Sequence, residues 1–350
     1  MRYRVIQWAT GAMGKTCLRA TLDHPGMQLV GLWVSSEAKA GMDGGDIAHR
    51  PRTGILATRS IEDIIATDAD VVIHAGLLQP PYGAHDEEIA RLLVSGKNVI
   101  SINGYSHPGQ WSAERRGRLE AACQAGKASL MGAGLNPGYI GEKIAVTATS
   151  ICSDVQGIDI AETVDCSAMR NPRYVFDVLG FNADPAAIDP NDSAWGPAAA
   201  LNGMYTDVLA AMAGRLGWVL DEVSTAHELR PAAEERAVAA GTIGRGRVSS
   251  LVWRWHGLAQ GQRKLTMTIV WTMDPLPDDL PLWTVAIDGS PGVRINVNLD
   301  RPRDARFRTS AEQLGVAGAV MNAIPVVCAA APGIVSMPLA TPWQSREMPP

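Results

Sequence analysis

The first stretch able to do chemistry is Ala9-Thr10-Gly11-Ala12-Met13-Gly14. It follows the short apolar run Val5–Trp8 and precedes a helical segment. A helix start presents unpaired N–H groups and the positive end of the helix dipole, so it attracts an anion. Glycine lets the backbone approach that anion closely. Gly11 and Gly14 hold the second and third glycine positions of a G-x-G-x-x-G turn, with Ala9 at the first. This context predicts a turn around Thr10, Gly11, Ala12, Met13 and Gly14 that holds a dinucleotide pyrophosphate. An ordinary structural turn is the competing reading.

The end of the second apolar run separates the cofactors. An acid there would bond the ribose hydroxyls of NAD. The residues present are Val34-Ser35-Ser36-Glu37-Ala38-Lys39. Ser35, Ser36 and Lys39 suit a 2′-phosphate, so NADP is favoured and Glu37 keeps NAD open. The next two strand ends are His74-Ala75-Gly76 and Asn103-Gly104-Tyr105, where the reactive end of the cofactor is expected. His74 reads equally as a histidine that satisfies a backbone group. Asn136, before Pro137-Gly138, reads either as a helix cap or as a partner for the nicotinamide amide.

Reduction of a carbonyl or imine needs a proton donor near the heteroatom. Tyr105 and His107 are the nearest in sequence to the expected site, although Ser106-His107-Pro108-Gly109 is also plain turn chemistry. Glu142 falls one turn into the helix after Pro137, where a first-turn acid also suits the dipole. Glu162 and Asp165 have odd spacing on a strand and so face opposite sides. Glu162, Tyr139, Tyr174 and Phe176 are the candidate walls of a substrate pocket. Trp253, Trp255, Trp271 and Trp283 fall on strands of the second half, where core packing explains them best.

These residues need elements to position them. Up to about residue 135, short apolar strands (Arg4–Trp8, Gln28–Val34, Ala69–His74, Asn98–Ile102, Ala128–Met131) alternate with helical segments (Lys15–Asp23, Ser60–Thr67, Asp86–Ser95, Ala113–Ala125). That alternation predicts an α/β fold, a Rossmann-type doubly wound parallel sheet covered on both faces. After a helix over about Ile140–Thr149, strands dominate: Ile158–Val164, Val248–Trp255, Leu265–Trp271, Trp283–Ile287 and Val293–Leu299. They predict an α+β domain with a mostly antiparallel sheet and one helix over about Ala198–Gly217. A last helix over about Ser310–Ile324 is expected to stop before Pro325. The expected domains are residues 1–135, and 136–307 for substrate and dimerisation.

The chain has 350 residues, 46% of them hydrophobic and 19% charged, with a formal net charge of −5. That composition suits a globular protein and argues against a nucleic-acid or anionic-membrane surface. No apolar run is expected to span a membrane, and no signal peptide is read at the start. Cys17, Cys123, Cys152, Cys166 and Cys328 are scattered and form no CxxC, so reduced thiols in the cytoplasm are expected and a metal site is not.

The stretch "ATGAMG", the later "GAGLNPGY" and Met321–Ile334 ("MNAIPVVCAAAPGI") together resemble the dihydrodipicolinate-reductase-like family, in its 2,4-diaminopentanoate dehydrogenase and native amine dehydrogenase group. The resemblance runs from Arg4 to about Ala340. It implies that the C-terminal segment 308–350 completes the nucleotide domain. It also implies a homodimer, and NAD(P)-linked chemistry between a primary amine and a ketone plus ammonia. The paired histidines, lysine and Asp-Ala-Pro-Ser-Gly-Thr run of true dihydrodipicolinate reductases are not present. The resemblance places a glutamate just past the strand at 98–102, but Ser101–Pro108 holds no carboxylate. Three functions follow as expectations: an amine dehydrogenase acting on a small to medium apolar ketone, an NADP-dependent carbonyl or imine reductase without ammonia, or a non-catalytic nucleotide-binding regulatory protein.

Overall fold

The computed structural model describes residues 2–105, 107–302 and 309–336. The chain divides into two compact units. The first comprises the described parts of Met1–Leu78, Gly83–Lys143 and Asp300–Pro350; the second comprises Gln79–Tyr82 and Ile144–Leu299.

The first unit begins with β1 (Tyr3–Trp8), α1 (Ala12–Asp23), β2 (Met27–Trp33), α2 (Gly44–Ala48), α3 (Ile61–Ala66), β3 (Val71–His74), α4 (Asp86–Val94), β4 (Asn98–Ser101), α5 (Ala113–Gly126) and β5 (Ser129–Gly132). The strands are apolar on both faces because helices cover both faces. Every residue of β3 and β5 is buried. Caps fix the helix starts. Ser60 accepts from Asp63 N and Ser112 from Arg115 N, each satisfying a donor that the helix leaves free.

The second unit is built from β6 (Asp154–Asp165), α6 (Gly196–Arg215), β7 (Glu222–Thr225), β8 (Glu228–Pro231), β9 (Arg236–Val238), β10 (Gly241–Ile243), β11 (Val248–Ala259), β12 (Gln262–Thr272), β13 (Trp283–Ser290) and β14 (Val293–Val297). Its main sheet runs β14-β13-β6-β12-β11-β7, with β8 also on β11. The pairs are antiparallel except β12 with β6, which is parallel. The sheet is therefore mixed at its centre. A parallel pair needs a long crossover, and the chain between β6 and β12, which includes α6, supplies one.

The chain then returns to the first unit with α7 (Ala311–Ala329) and β15 (Gly333–Val335). The six strands lie in the order β15-β5-β4-β3-β1-β2, all parallel. The sequence reading did not foresee β15. It also stopped the last helix too early, since α7 continues through Pro325 to Ala329. The missing N–H and ring clash of an internal proline are tolerated in a helix that packs its apolar face into the core. Val320, Ile324 and Val327 join Val5, Ile73 and Ile100 in one buried cluster. By length and composition α7 is the one helix, among the described residues, apolar enough to cross a membrane. That property was not expected from the sequence.

Candidate active site

The turn after β1 is held by its own backbone and by one buried glutamine. Ala9 adopts φ +70°, the left-handed region that the first glycine of the motif normally occupies. A Cβ at Gly14 would sit 2.2 Å from the Ala9 carbonyl oxygen, so only glycine fits there. Gln7 has no exposed surface, and its Nε2 donates to the carbonyls of Trp8 (3.1 Å) and Ala9 (3.0 Å). Sequence reasoning passed over Gln7. A lone amide in an otherwise apolar strand was the available signal.

This geometry fits a dinucleotide. Gly11 caps α1 without any side-chain bond to the helix start, and α1 has no acid in its first turn. Among the described residues, nothing lies within 4 Å of where a Gly11 Cβ would be, which leaves the helix start open to an anion. Lys39 Nζ donates to Thr10 O (2.9 Å) and Thr10 Oγ1 (3.1 Å), which ties the loop after β2 to the turn. Burial, and then the neighbouring Lys15 charge, lower the Lys39 pKa. Lys39 shares its loop with exposed Ser35 and Ser36, groups that suit a phosphate, and with exposed Glu37.

The end of β3 carries a buried ion cluster. His74 Nε2 donates to Glu88 Oε1 (2.8 Å), and His85 Nδ1 donates to the same oxygen (2.7 Å). His85 Nε2 donates to Leu77 O (2.8 Å), and a carbonyl only accepts, so both nitrogens of His85 carry protons. Burial alone would lower the His85 pKa, but the bonds to Glu88 and Leu77 outweigh it and raise it. Burial likewise pushes Glu88 up, yet its two histidine partners hold it at about 2. His74 is fully buried, which lowers its pKa and keeps it neutral. The imidazole was read either at the cofactor or as satisfying a backbone group. It has no exposed surface and stacks on Trp8, so only the backbone of His74-Ala75-Gly76 can meet a ligand.

Tyr105 requires a second correction. It was read as a proton donor. Its side chain is fully buried, and its hydroxyl donates to Asp86 Oδ1 at 2.7 Å. Arg115 forks onto the same carboxylate (2.7 and 3.0 Å) and stacks over Trp111 at 4.2 Å. Tyr105 thus pins the loop after β4 instead of serving a substrate. Asn103, at the start of that loop, bonds Gly76 O through Nδ2 at 3.0 Å, linking the ends of β4 and β3. His107 is half-buried and leads into a short turn at Pro108–Gln110. Asn136 sits at a kink in the helical stretch Leu135–Ala145, which also carries half-exposed Tyr139 and buried Glu142.

In the second unit, Glu162 lies on the buried face of β6 while Asp165 is exposed, as their odd spacing requires. Tyr174 and Phe176 belong to the helical turn Arg173–Val178. Phe176 packs 3.3 Å from where a Gly241 Cβ would be. Under α6, Trp195, Trp253, Trp255 and Tyr205 form a stacked ladder. His227 Nδ1 accepts from Arg254 N, so Nε2 carries the proton and donates to Asn202 Oδ1 at 3.0 Å. Trp255 Nε1 donates to the same Asn202 oxygen at 2.8 Å.

A parallel sheet with an open glycine turn at its first helix defines a Rossmann-type fold of the kind that holds a dinucleotide. Comparison with known proteins bears out the resemblance drawn from the sequence. Residues 5–77 match the family model of the dihydrodipicolinate reductase N-terminus. The chain is 26% identical over 352 residues to an amine dehydrogenase of Streptomyces virginiae, covering 94% of this chain and 93% of that one. The solved structure of an amine dehydrogenase from Mycobacterium smegmatis superposes with a TM-score of 0.75 at 18% identity, over 96% of this chain and 95% of that one. A structure of GenD2 from gentamicin A biosynthesis in complex with NAD has a TM-score of 0.54 at 15% identity, over 93% and 86%.

Proposed function

We propose that the protein is an NADP-preferring dehydrogenase that interconverts a primary amine with a small to medium apolar ketone and ammonia. It would work in the cytoplasm as a homodimer. The observation that carries this reading is the near full-length similarity to an amine dehydrogenase, joined to a turn whose helix start is open to an anion. A nicotinamide dinucleotide supplies or takes up the hydride. The turn Thr10–Gly14 would hold its pyrophosphate through backbone N–H groups. Lys39, Ser35 and Ser36 would hold the 2′-phosphate, and the ends of β3 and β4 would orient the reactive ring.

A second reading keeps the cofactor and drops ammonia. It is favoured by one observation: Ser101–Pro108 offers His107 but no carboxylate. The His107 imidazole would be the group that donates to a carbonyl oxygen. The test is NADPH oxidation with a panel of ketones, with and without ammonium. Turnover that requires ammonium supports amine chemistry, and equal turnover without it supports the reductase.

A further inference from the structure

Three side chains of the kind that bind metals converge at the end of β3. His74 ends that strand, His85 stands just before α4, and Glu88 lies in the first turn of α4. One ligand atom from each lies within 4.8 Å of the other two. Both imidazoles reach the same Glu88 oxygen, His74 Nε2 at 2.8 Å and His85 Nδ1 at 2.7 Å. No metal site was expected from the spacing of cysteines and histidines, because the strand end and the helix meet only in the fold.

The two rings are set as ligands of one ion are. Their centroids lie 4.9 Å apart and their planes cross at 67°. Two imidazoles bound at about 2.0–2.1 Å, near the tetrahedral angle, would place their centroids about 5 Å apart. Ligand atoms on such an ion are separated by about 3.4 Å, so Glu88 must retreat by roughly half an ångström. That shift is open to a partly exposed side chain, and Glu88 is 28% exposed.

The surroundings match as well. A metal-bound histidine nearly always donates its other ring N–H to a carboxylate, a backbone carbonyl or water. His85 Nε2 already donates to Leu77 O at 2.8 Å, which keeps Nδ1 turned to Glu88. Gly76 lets the backbone pass both rings. A Cβ there would lie 3.0 Å from His85 Cε1 and 3.3 Å from His74 Cε1. His74 Nδ1 is buried without a partner, with or without a proton, so it weighs neither way.

We propose that His74 Nε2, His85 Nδ1 and the Glu88 carboxylate bind one divalent transition-metal ion. Two imidazoles and a carboxylate suit zinc or a similar first-row ion, with water in the fourth position. The ion replaces the proton on His85 Nδ1, which passes to solvent. The His74 proton moves from Nε2 to Nδ1, and no electron changes hands. The bound ion staples the end of β3 and the residues just before α4 to α4 itself. All three ligands belong to the first unit, so the site stands apart from the amine reading above.

The experiment uses the full chain, treated with a chelator and then titrated with zinc by calorimetry and with cobalt by visible absorption. One equivalent should bind at about micromolar concentration or below, and zinc should raise the melting temperature. Cobalt should give the visible band of a four-coordinate ion. Glu88→Gln and His85→Asn should each raise the half-saturation by about a hundredfold and remove the band. If one variant does not fold, the other carries the test. If neither folds, histidine NMR signals of the wild type decide. Cobalt should displace or broaden those of His74 and His85 and spare those of His227 and His256. Absence of the cobalt band in wild type overturns the site. So does binding that survives unchanged in a folded variant, or a cobalt effect confined to other histidines.

Discussion

The Tyr105 hydroxyl and the Asp86 carboxylate, 19 residues apart, meet at 2.7 Å inside the first unit. Tyr105 reaches this position with φ +68°, a conformation unusual for a side-chain-bearing residue. The pair joins the loop after β4 to the start of α4, with Arg115 closing the other side of the carboxylate.

Tyr105→Phe is therefore expected to act on stability. Losing one hydrogen bond to a buried charge costs roughly 1.5–3 kcal/mol, measurable by urea unfolding. Turnover per folded molecule should stay within about threefold of wild type, since general acid catalysis contributes roughly a hundredfold or more. A hundredfold fall in kcat with unchanged stability would return Tyr105 to the chemistry.

Lys39→Ala tests cofactor choice. Removing one cation from a 2′-phosphate site should weaken NADP about tenfold, or about 1.4 kcal/mol, and leave NAD almost unchanged. Calorimetry with both cofactors decides. An equal loss for both would make Lys39 a brace for the Thr10 turn only.

The turn itself gives opposite expectations at two positions. Ala9→Gly removes a left-handed alanine that is disfavoured by about 1–2 kcal/mol, offset by about 0.5–1 kcal/mol of extra backbone entropy. A net gain near 1 kcal/mol is expected by chemical denaturation. Gly14→Ala drives a methyl against the Ala9 carbonyl and should abolish dinucleotide binding in the same titrations.

The His85–Glu88 pair makes stability depend on pH. His85 has its folded pKa raised, so its contribution is complete below the unfolded value of about 6.5 and is lost as pH rises through the folded value. His74 has its folded pKa lowered, so it adds the opposite slope, a stability that grows as pH rises through the unfolded value of about 6.5, and the comparison with His85→Asn cancels it. Glu88, held at about 2, gives stability that is present above about 4.5 and fades only as pH falls toward 2. Urea midpoints from pH 6.5 upward should decline in wild type relative to His85→Asn. Parallel curves would mean that His85 is not charged in the folded state.

Much of this arrangement is local and so was legible in the sequence. The β1 turn, the Ser60 cap and the burial of Glu162 against exposed Asp165 each follow from neighbouring residues and strand period. Tyr105 was misread because its partner comes from another element, and no periodicity announces a long-range hydroxyl–carboxylate bond. Trp283 beside Glu162 was hidden for the same reason, since strand register is set by packing. The helix through Pro325 escaped because local proline chemistry gave way to core burial. His85 and Glu88 are three apart at a helix start, a spacing that places them on one face but does not reveal His74 beneath.

The edge strand β15 lies parallel to β5, and α7 packs against Val5 and Ile73. During synthesis, then, the nucleotide-holding half must stay open at one edge until the segment Ala311–Val335 has left the ribosome. A fragment ending at residue 143 would expose Val5, Ile73 and Ile100 to water and aggregate, although it contains every glycine of the motif.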